Sequence, residues 1–318
     1  MKKLAILIII LLLPACKIMT YKAEQTRELM GTTVTVVVLH EDENTAREGI
    51  RRAFRAMQSV NDEMGPYGTT SLVSELNKNK IIAKPTSSMS FVLQKSLEYS
   101  EVSNGAFDIT VQPVLDLYTK TFKENRTPTQ EEIDTAMKSV GYKKVIIEEN
   151  AVTIEENMSI TLGAIAKGYA VDEAIEALQQ TGIKRAMVNA GGDIRAIGTK
   201  EGDQKWQVAL QNPRNKTELI TIIELENMSV ATSGDYERYF DENKTYHHII
   251  NPKTGHSATE LISVTVIAPK AVDADSLATT VFVLGREKGI ELVERLPNVE
   301  ALIITKDREI IRSSRFRH

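Results

Sequence analysis

The chain has little of several features that define common protein classes: it has one cysteine, one tryptophan and only 5% aromatic residues among 318. A single cysteine cannot form an internal disulfide or supply a cysteine-rich metal cluster. The formal net charge of −4 gives no electrostatic basis for nucleic-acid binding, which requires a clustered basic surface. Long charge blocks, low-complexity tracts and short-period repeats are also missing. We therefore expect an ordinary globular protein with no nucleic acid among its partners.

The N-terminus has the composition of an export signal. Two lysines precede an apolar run that ends at Leu13, and this run is shorter than the roughly 20 residues of a transmembrane helix. A basic start followed by a short apolar segment is typical of a secretory signal peptide. The stretch Leu13-Pro14-Ala15-Cys16 resembles the bacterial lipobox, in which Cys16 would be lipidated and become the mature N-terminus. The alternative is a plain signal peptide that leaves Cys16 as a free thiol.

Hydrophobic periodicity predicts a mixture of helices and strands. Thr127 is the expected N-cap of one helix, with Pro128 in its first turn and Gly141 at its end. The predicted helices lie at about 46–60, 87–103, 128–141, 166–178 and 271–284, with one more after Gly285. The predicted strands lie at about 29–39, 145–154 (a hairpin), 158–163, 185–190, 194–198, 206–211, 218–225, 228–232, 246–250 and 261–268, followed by a hairpin over 299–314.

The order of these elements indicates the fold class. Helices and hairpins do not alternate as regular βαβ units, and neither G-x-G-x-x-G nor the P-loop pattern occurs. We therefore predict an α+β fold with mixed helices and mainly antiparallel sheets in two closely packed halves. We expect a signal peptide over 1–16, a tether over about 17–26 and a single domain over 27–318.

The predicted helix 271–284 carries a candidate metal site. Asp275 and Thr279 are four residues apart and are therefore neighbours on one flank of the helix. A carboxylate and a hydroxyl are hard oxygen ligands, which suit Mg²⁺ or Ca²⁺ better than Zn²⁺. The alternative is structural, because an aspartate near a helix start also interacts with the helix dipole.

Three glycine-containing stretches are candidates for ligand contact. In NAGGDIRAIG (189–198), Gly191 and Gly192 would let the backbone approach a ligand, while the alternative is a β-turn that includes Asp193. In GAIAKGYA (163–170), Lys167 at a helix start would suit an anion, unless it is a solvated surface lysine. In GAFD (105–108), the aromatic residue is most simply core and the aspartate a cap, unless a ligand is bound there.

The stretch TYHHIINPKTGHSA (245–258) holds three of the five histidines. In a strand, His247 and His248 would point to opposite faces, so they could not easily bind one metal together. One of them is instead a candidate base that titrates near neutral pH.

Taken in order, these stretches resemble the ApbE-like family of FAD:protein FMN transferases. The resemblance extends from about residue 27 to the C-terminus and rests on several motifs in the same order. The matching stretches are Met30-Gly31-Thr32, Tyr67 ten residues before Asn77, GAFD, LGAIAKGYAVD, NAGGDI, ATSGDYERYF, HHIINPKTG and AVDADSLATT.

The resemblance implies a Mg²⁺-dependent enzyme that transfers FMN from FAD to a threonine, or sometimes a serine, of an acceptor protein. It implies Asp275 and Thr279 as side-chain metal ligands, the Ala164 carbonyl as a third ligand, and His248 as general base. The residues that it places in the FAD site, including the backbone of NAGGDI, are Met30, Tyr67, Ala106, Phe107, Asp108, Thr161, Lys167, Gly191, Gly192, Asp193 and Ile249.

The resemblance also implies a location and leaves two alternatives open. Family members are often lipoproteins, so we expect lipid anchoring through Cys16 at the extracytoplasmic face of a bacterial cell envelope. The alternatives are an FAD pyrophosphatase that releases FMN and AMP, and a flavin-binding lipoprotein without turnover. One departure is Asn251, where the family commonly has aspartate. We expect this residue to shape the turn before Pro252.

Overall fold

The computed structural model describes residues 20–65 and 70–318. In chain order its strands are β1 (Tyr21–Leu29), β2 (Thr32–His40), β3 (Ile81–Ala83), β4 (Ile146–Glu148), β5 (Ala151–Thr153), β6 (Ala186–Ala190), β7 (Asp193–Ile197), β8 (Trp206–Asn212), β9 (Asn215–Leu225), β10 (Met228–Gly234), β11 (Leu261–Ala268), β12 (Glu300–Thr305) and β13 (Ile310–Arg312). Its α-helices are α1 (Glu43–Met64), α2 (Leu72–Asn79), α3 (Ser87–Val102), α4 (Gln112–Lys123), α5 (Gln130–Met137), α6 (Ala166–Gln180) and α7 (Ala271–Arg295). Short 3-10 helices cover Ile109–Val111, Tyr142–Lys144 and Glu201–Asp203.

One eight-stranded sheet organises the molecule. Its spatial order is β1-β2-β6-β7-β10-β11-β12-β13, and each neighbouring pair is antiparallel. Two smaller antiparallel sheets, β3-β5-β4 and β8-β9, lie outside it. This arrangement confirms the predicted α+β class.

The main sheet is buried on both faces. Along β2, Val34, Val36 and Val38 pack with α1 and α6, whereas Val37 and Leu39 pack under the β8-β9 hairpin. This alternation is the two-residue period of a strand that is covered on both sides. On the helical face a second apolar cluster surrounds α7 and β10–β12, so the two expected halves share one sheet.

A buried carboxylate fixes α6 against α7. Asp172 of α6 accepts hydrogen bonds from the backbone amides of Ala271 (3.0 Å) and Val272 (2.9 Å), at the start of α7. Arg195 donates to the same carboxylate at 2.6 Å. The first amides of a helix have no partner within the helix, so a side chain from another helix supplies the cap of α7.

Two predicted boundaries were wrong. Residues 21–26, expected in the tether, form most of β1 and pair with β2. The N-cap of α5 is Thr129 rather than Thr127, because Glu132 follows it by three residues and completes a capping box.

Two predicted strands are absent from the described residues. In 158–163 the apolar residues alternate and are buried, but the Asn77 side chain, rather than a strand, bonds the backbone of Ile160. The segment 246–250 makes only the isolated bridges Tyr239–His247 and Ile250–Ser257. In both cases side chains and loops satisfy the backbone groups that a sheet would otherwise pair.

The helices α2 and α4 were not predicted, while α3, α6 and the break of α7 at Gly285 were.

In residues 20–65 and 70–318, no helix is long and apolar enough to cross a membrane. The expected signal peptide and Cys16 lie outside the described residues.

Candidate active site

A cavity of about 340 Å³ opens where the turn between β1 and β2, the start of α6, the end of β10 and the first turns of α7 meet. Its volume lies within the usual range for small-molecule sites. The sequence-predicted residues that line it are Met30, Ala106, Phe107, Asp108, Thr161, Ala164, Lys167, Gly191, His248, Ile249, Asp275 and Thr279. Gly192 and Asp193 are not among its lining residues, and Tyr67 lies outside the described residues.

Gly168 brings α6 into close contact with α7. A Cβ atom at this position would lie 2.3 Å from the carbonyl oxygen of Ala271 and 2.8 Å from the Cβ atom of Asp275. The backbone N–H of Gly168 donates to Oδ2 of Asp275 at 3.0 Å. The absence of a side chain on Gly168 therefore allows the start of one helix to orient a carboxylate on the other.

Asp193 lies behind the cavity wall rather than in it. Its side chain is fully buried, and Lys167 Nζ lies 3.3 Å from its Oδ2 atom. Burial and the neighbouring Asp275 raise the pKa of Asp193 well above its usual value. Burial would lower the pKa of Lys167, but Asp193 and Asp275 outweigh this effect and raise it. In the structure, Asp193 forms an ion pair that holds Lys167 at the cavity wall.

The oxygen atoms around Asp275 fit a hard divalent cation. Burial raises the pKa of the Asp275 carboxyl, and the positive charge of Lys167 opposes that shift. Oδ2 of Asp193 is buried, and Lys167 Nζ lies 3.3 Å from it without a well-aligned hydrogen bond. Two buried carboxylates side by side repel each other, and a cation would relieve that repulsion.

The other candidate metal ligands are a hydroxyl oxygen and a carbonyl oxygen. Thr279 lies one turn beyond Asp275 and shares a 3.0 Å hydrogen bond with Ser233 of β10, while Ala164 lines the same cavity. Carboxylate, hydroxyl and carbonyl oxygens together are the ligand types that Mg²⁺ accepts. Within the part of the chain that the structure describes, no group of three or more His, Cys, Asp or Glu side chains could hold a metal.

The two adjacent histidines have different environments. His247 is fully buried, and its Nε2 lies 2.9 Å from the Ala258 carbonyl oxygen. His248 is half-buried and lines the cavity. Their side chains are therefore separated as predicted, although irregular backbone rather than a strand separates them.

One carbonyl oxygen orients His248. The Arg238 carbonyl lies 3.1 Å from the His248 backbone nitrogen and 2.8 Å from Nδ1 of its ring. A carbonyl can only accept, so Nδ1 carries the proton and Nε2 keeps the basic lone pair in the neutral ring. Burial and the positive charge of Arg238 lower the pKa of His248 to about 3. The ring is therefore neutral at physiological pH.

Asp108 is a helix cap as well as a cavity residue. Its Oδ1 accepts from the amide and the hydroxyl of Thr110, and its Oδ2 accepts from the Tyr142 amide. Burial raises the pKa of Asp108, and this effect outweighs the hydrogen bonds, which lower it. Phe107 is buried but also reaches the cavity, so the structural and the ligand-contact interpretations of GAFD are compatible.

Asn251 forms the turn, as expected. Its Oδ1 accepts from the Lys253 amide at 2.9 Å, and its carbonyl accepts from the amides of Thr254 and Gly255. An aspartate oxygen could accept the same hydrogen bond from the Lys253 amide. Asparagine in place of the aspartate common in the family therefore preserves the turn.

Several cavity residues were not predicted. Asn61, Ser233, Glu237 and Arg238 line it, yet they lie on different elements and share no spacing pattern. The stretch ATSGDYERYF contains Ser233, Glu237 and Arg238, but it did not indicate which of its side chains face the cavity.

The chain is similar to known proteins in both sequence and structure. The ApbE family profile matches residues 30–303. The FAD:protein FMN transferase of Haemophilus influenzae is 34% identical, over 95% of this chain and 92% of that protein.

Two solved structures are similar over nearly their full lengths. The crystal structure of the ApbE protein from Thermotoga maritima has a TM-score of 0.85 and 33% identity, covering 92% of this chain and 97% of that chain. The flavin transferase ApbE from Vibrio cholerae has a TM-score of 0.79 and 28% identity, covering 93% and 98%.

We expect Gly168→Ala to lower the free energy of unfolding by about 2 kcal/mol. Alanine would gain up to about 1 kcal/mol of helix propensity, but its methyl group would meet backbone atoms that cannot rotate away, and overpacking costs about 1–3 kcal/mol. Urea unfolding measures the change.

The matched control is Gly163→Ala, whose added methyl group would have no neighbour closer than 3.5 Å. It should leave the free energy of unfolding within about 0.5 kcal/mol of the original. Equal stability of the Gly168 variant and this control would show that the helix contact is not a constraint.

Proposed function

The chain belongs to the ApbE family, and on that basis we propose that it transfers FMN from FAD to a hydroxyl group of an acceptor protein. The acceptor side chain is threonine or serine, and AMP is the second product. The observation that carries the proposal is one cavity lined both by the oxygen-bearing side chains of Asp275 and Thr279 and by the neutral ring of His248. These are the two components that phosphoryl-type transfer to a hydroxyl requires.

The reaction exchanges one phosphorus–oxygen bond for another. The acceptor oxygen attacks the FMN phosphorus, the bond to the bridging oxygen breaks, and AMP departs with the bonding electron pair. The hydroxyl proton passes to Nε2 of His248, the lone-pair nitrogen left by the Nδ1 contact with Arg238. A positioned base of this kind contributes about 10²–10⁴-fold.

The proposed cation is Mg²⁺, held by Asp275, Thr279 and the Ala164 carbonyl. When bound, it would neutralise charge on the pyrophosphate oxygens and act as a Lewis acid. Gly168 orients the Asp275 carboxylate, and Asp193 holds Lys167 at the cavity wall. Phe107 and Met30 supply apolar surface for the flavin or adenine rings.

We expect the full chain, with FAD and Mg²⁺, to add the mass of FMN less water to an acceptor domain carrying a threonine or serine flavinylation site. His248→Ala should slow this transfer by about 10²–10⁴-fold while FAD binding is kept. Intact-mass spectrometry of the acceptor measures transfer, and flavin fluorescence measures binding.

His256→Ala is the matched control, since His256 is an exposed histidine of the same segment that does not line the cavity. It should transfer FMN at the original rate. Rapid release of FMN with no labelled acceptor would identify a pyrophosphatase instead, and FAD binding without turnover would identify a binding protein.

Mg²⁺ affinity should fall as the pH falls, by about tenfold per pH unit for each displaced proton. The sign follows from the raised pKa values of Asp275 and Asp193, because these carboxyls keep their protons to higher pH and the cation must displace them. Isothermal titration calorimetry at several pH values measures the affinity.

Asp275→Asn should abolish this binding. Asp273→Asn should retain it, since Asp273 is on the same helix but does not line the cavity. Unchanged Mg²⁺ affinity in the Asp275 variant would remove that residue from the metal site.

We further propose that the protein is anchored by a lipid on Cys16 at the extracytoplasmic face of a bacterial envelope. The export signal and the lipobox-like stretch before Cys16 support this location. Globomycin should then block processing of the precursor in cells, and processing that is insensitive to globomycin would contradict lipidation.

A further inference from the structure

Arg238 places a positive charge at the cavity. It lies on the segment that follows β10 and lines the cavity. Its Nη2 is 3.8 Å from where a Cβ atom on Gly163 would be, next to the proposed carbonyl ligand Ala164. Across residues 20–65 and 70–318, the Arg238 guanidinium forms no salt bridge within 4.0 Å.

The other cavity cation, Lys167, is already paired. Asp193 lies 3.3 Å from it and is fully buried, so much of the lysine charge is balanced before any ligand binds. The exposed Glu237 also lines the cavity but makes no salt bridge with Arg238 among the described residues. An incoming anion would therefore find its available partner in Arg238.

The segment that carries Arg238 is firmly held at its start. Asp235 is fully buried, and its Oδ2 accepts from Arg214 at 2.5 Å and from Lys306 at 2.6 Å. These contacts lie three residues before Arg238, so they restrict where its backbone can go. The guanidinium is exposed, but the backbone from which it extends is anchored.

The backbone of Arg238 also touches the proposed base. Its carbonyl accepts from both the amide and the ring of His248. One residue therefore determines the orientation of the histidine through its main chain and presents a cation to the same cavity through its side chain.

We infer that the Arg238 guanidinium binds the pyrophosphate of FAD while the Arg238 carbonyl holds His248 beside it. This inference rests on the proposed function and adds a residue to that site. Guanidinium groups suit phosphate because their N–H groups form a planar fork that can donate two parallel hydrogen bonds. Arg238 is then a catalytic residue through its side chain and a positioning residue through its main chain.

The electrostatics of His248 support this role. Burial, Arg238, His247 and Lys167 all disfavour the protonated ring in the free protein. A phosphate bound to Arg238 would offset that positive charge and make the ring a stronger base. Substrate binding would thus prepare the histidine to accept the hydroxyl proton.

The test compares three flavins on the full chain in metal-free buffer, so that binding rather than turnover is measured. Arg238→Gln should weaken FAD and FMN binding roughly 10- to 100-fold, the loss expected for a charged hydrogen bond. Riboflavin, which has no phosphate, should bind the variant and the original chain equally. Arg238→Lys should recover part of the affinity, because it keeps the charge but loses the fork.

Lys244→Gln is the matched control, since it removes a cation from the same segment without changing the cavity lining, and it should bind all three flavins normally. Equal loss for riboflavin, or no loss for FAD, would overturn the role of Arg238. If the original chain bound no FAD at all, the proposed function itself would fail.

Discussion

The contact between α6 and α7 at Gly168 is the constraint on which the site depends. Because Gly168 has no side chain, the start of α6 reaches the backbone of α7 and its amide donates to Asp275. Asp172, one turn further along α6, caps the first amides of α7. These two contacts determine where Lys167 and the proposed metal ligands lie relative to each other.

The opposite wall of the cavity is stabilised by different interactions. Asp235, Arg214 and Lys306 hold the start of the segment after β10, and Asn251 closes the turn after the histidines. Between them, Tyr118 and Phe122 of α4 stack against Phe240. Irregular backbone can position a base only when such side chains replace the missing sheet pairing.

Sequence patterns were most informative where one helix or strand by itself determines which residues lie together. Spacing of four residues on one helix placed Asp275 and Thr279 together, and both line the cavity. Residue type and alternation predicted the strands of the main sheet other than β1, since both are local patterns. The same rule failed over 158–163, because an alternating apolar segment can be buried without a strand partner when Asn77 bonds its backbone.

The sequence by itself determined the α+β class, the order of most elements and the motifs that resemble one family, because these features depend on local periodicity and residue type. The tertiary structure alone decided that Asp193 lies behind the wall with Lys167, and that Arg238 enters the cavity and orients His248. Such relationships join residues 10 to more than 100 positions apart, such as Arg238 with His248 and Lys167 with Asp275. No local pattern encodes them, since they arise only when α6, α7 and the segment after β10 pack against the same sheet.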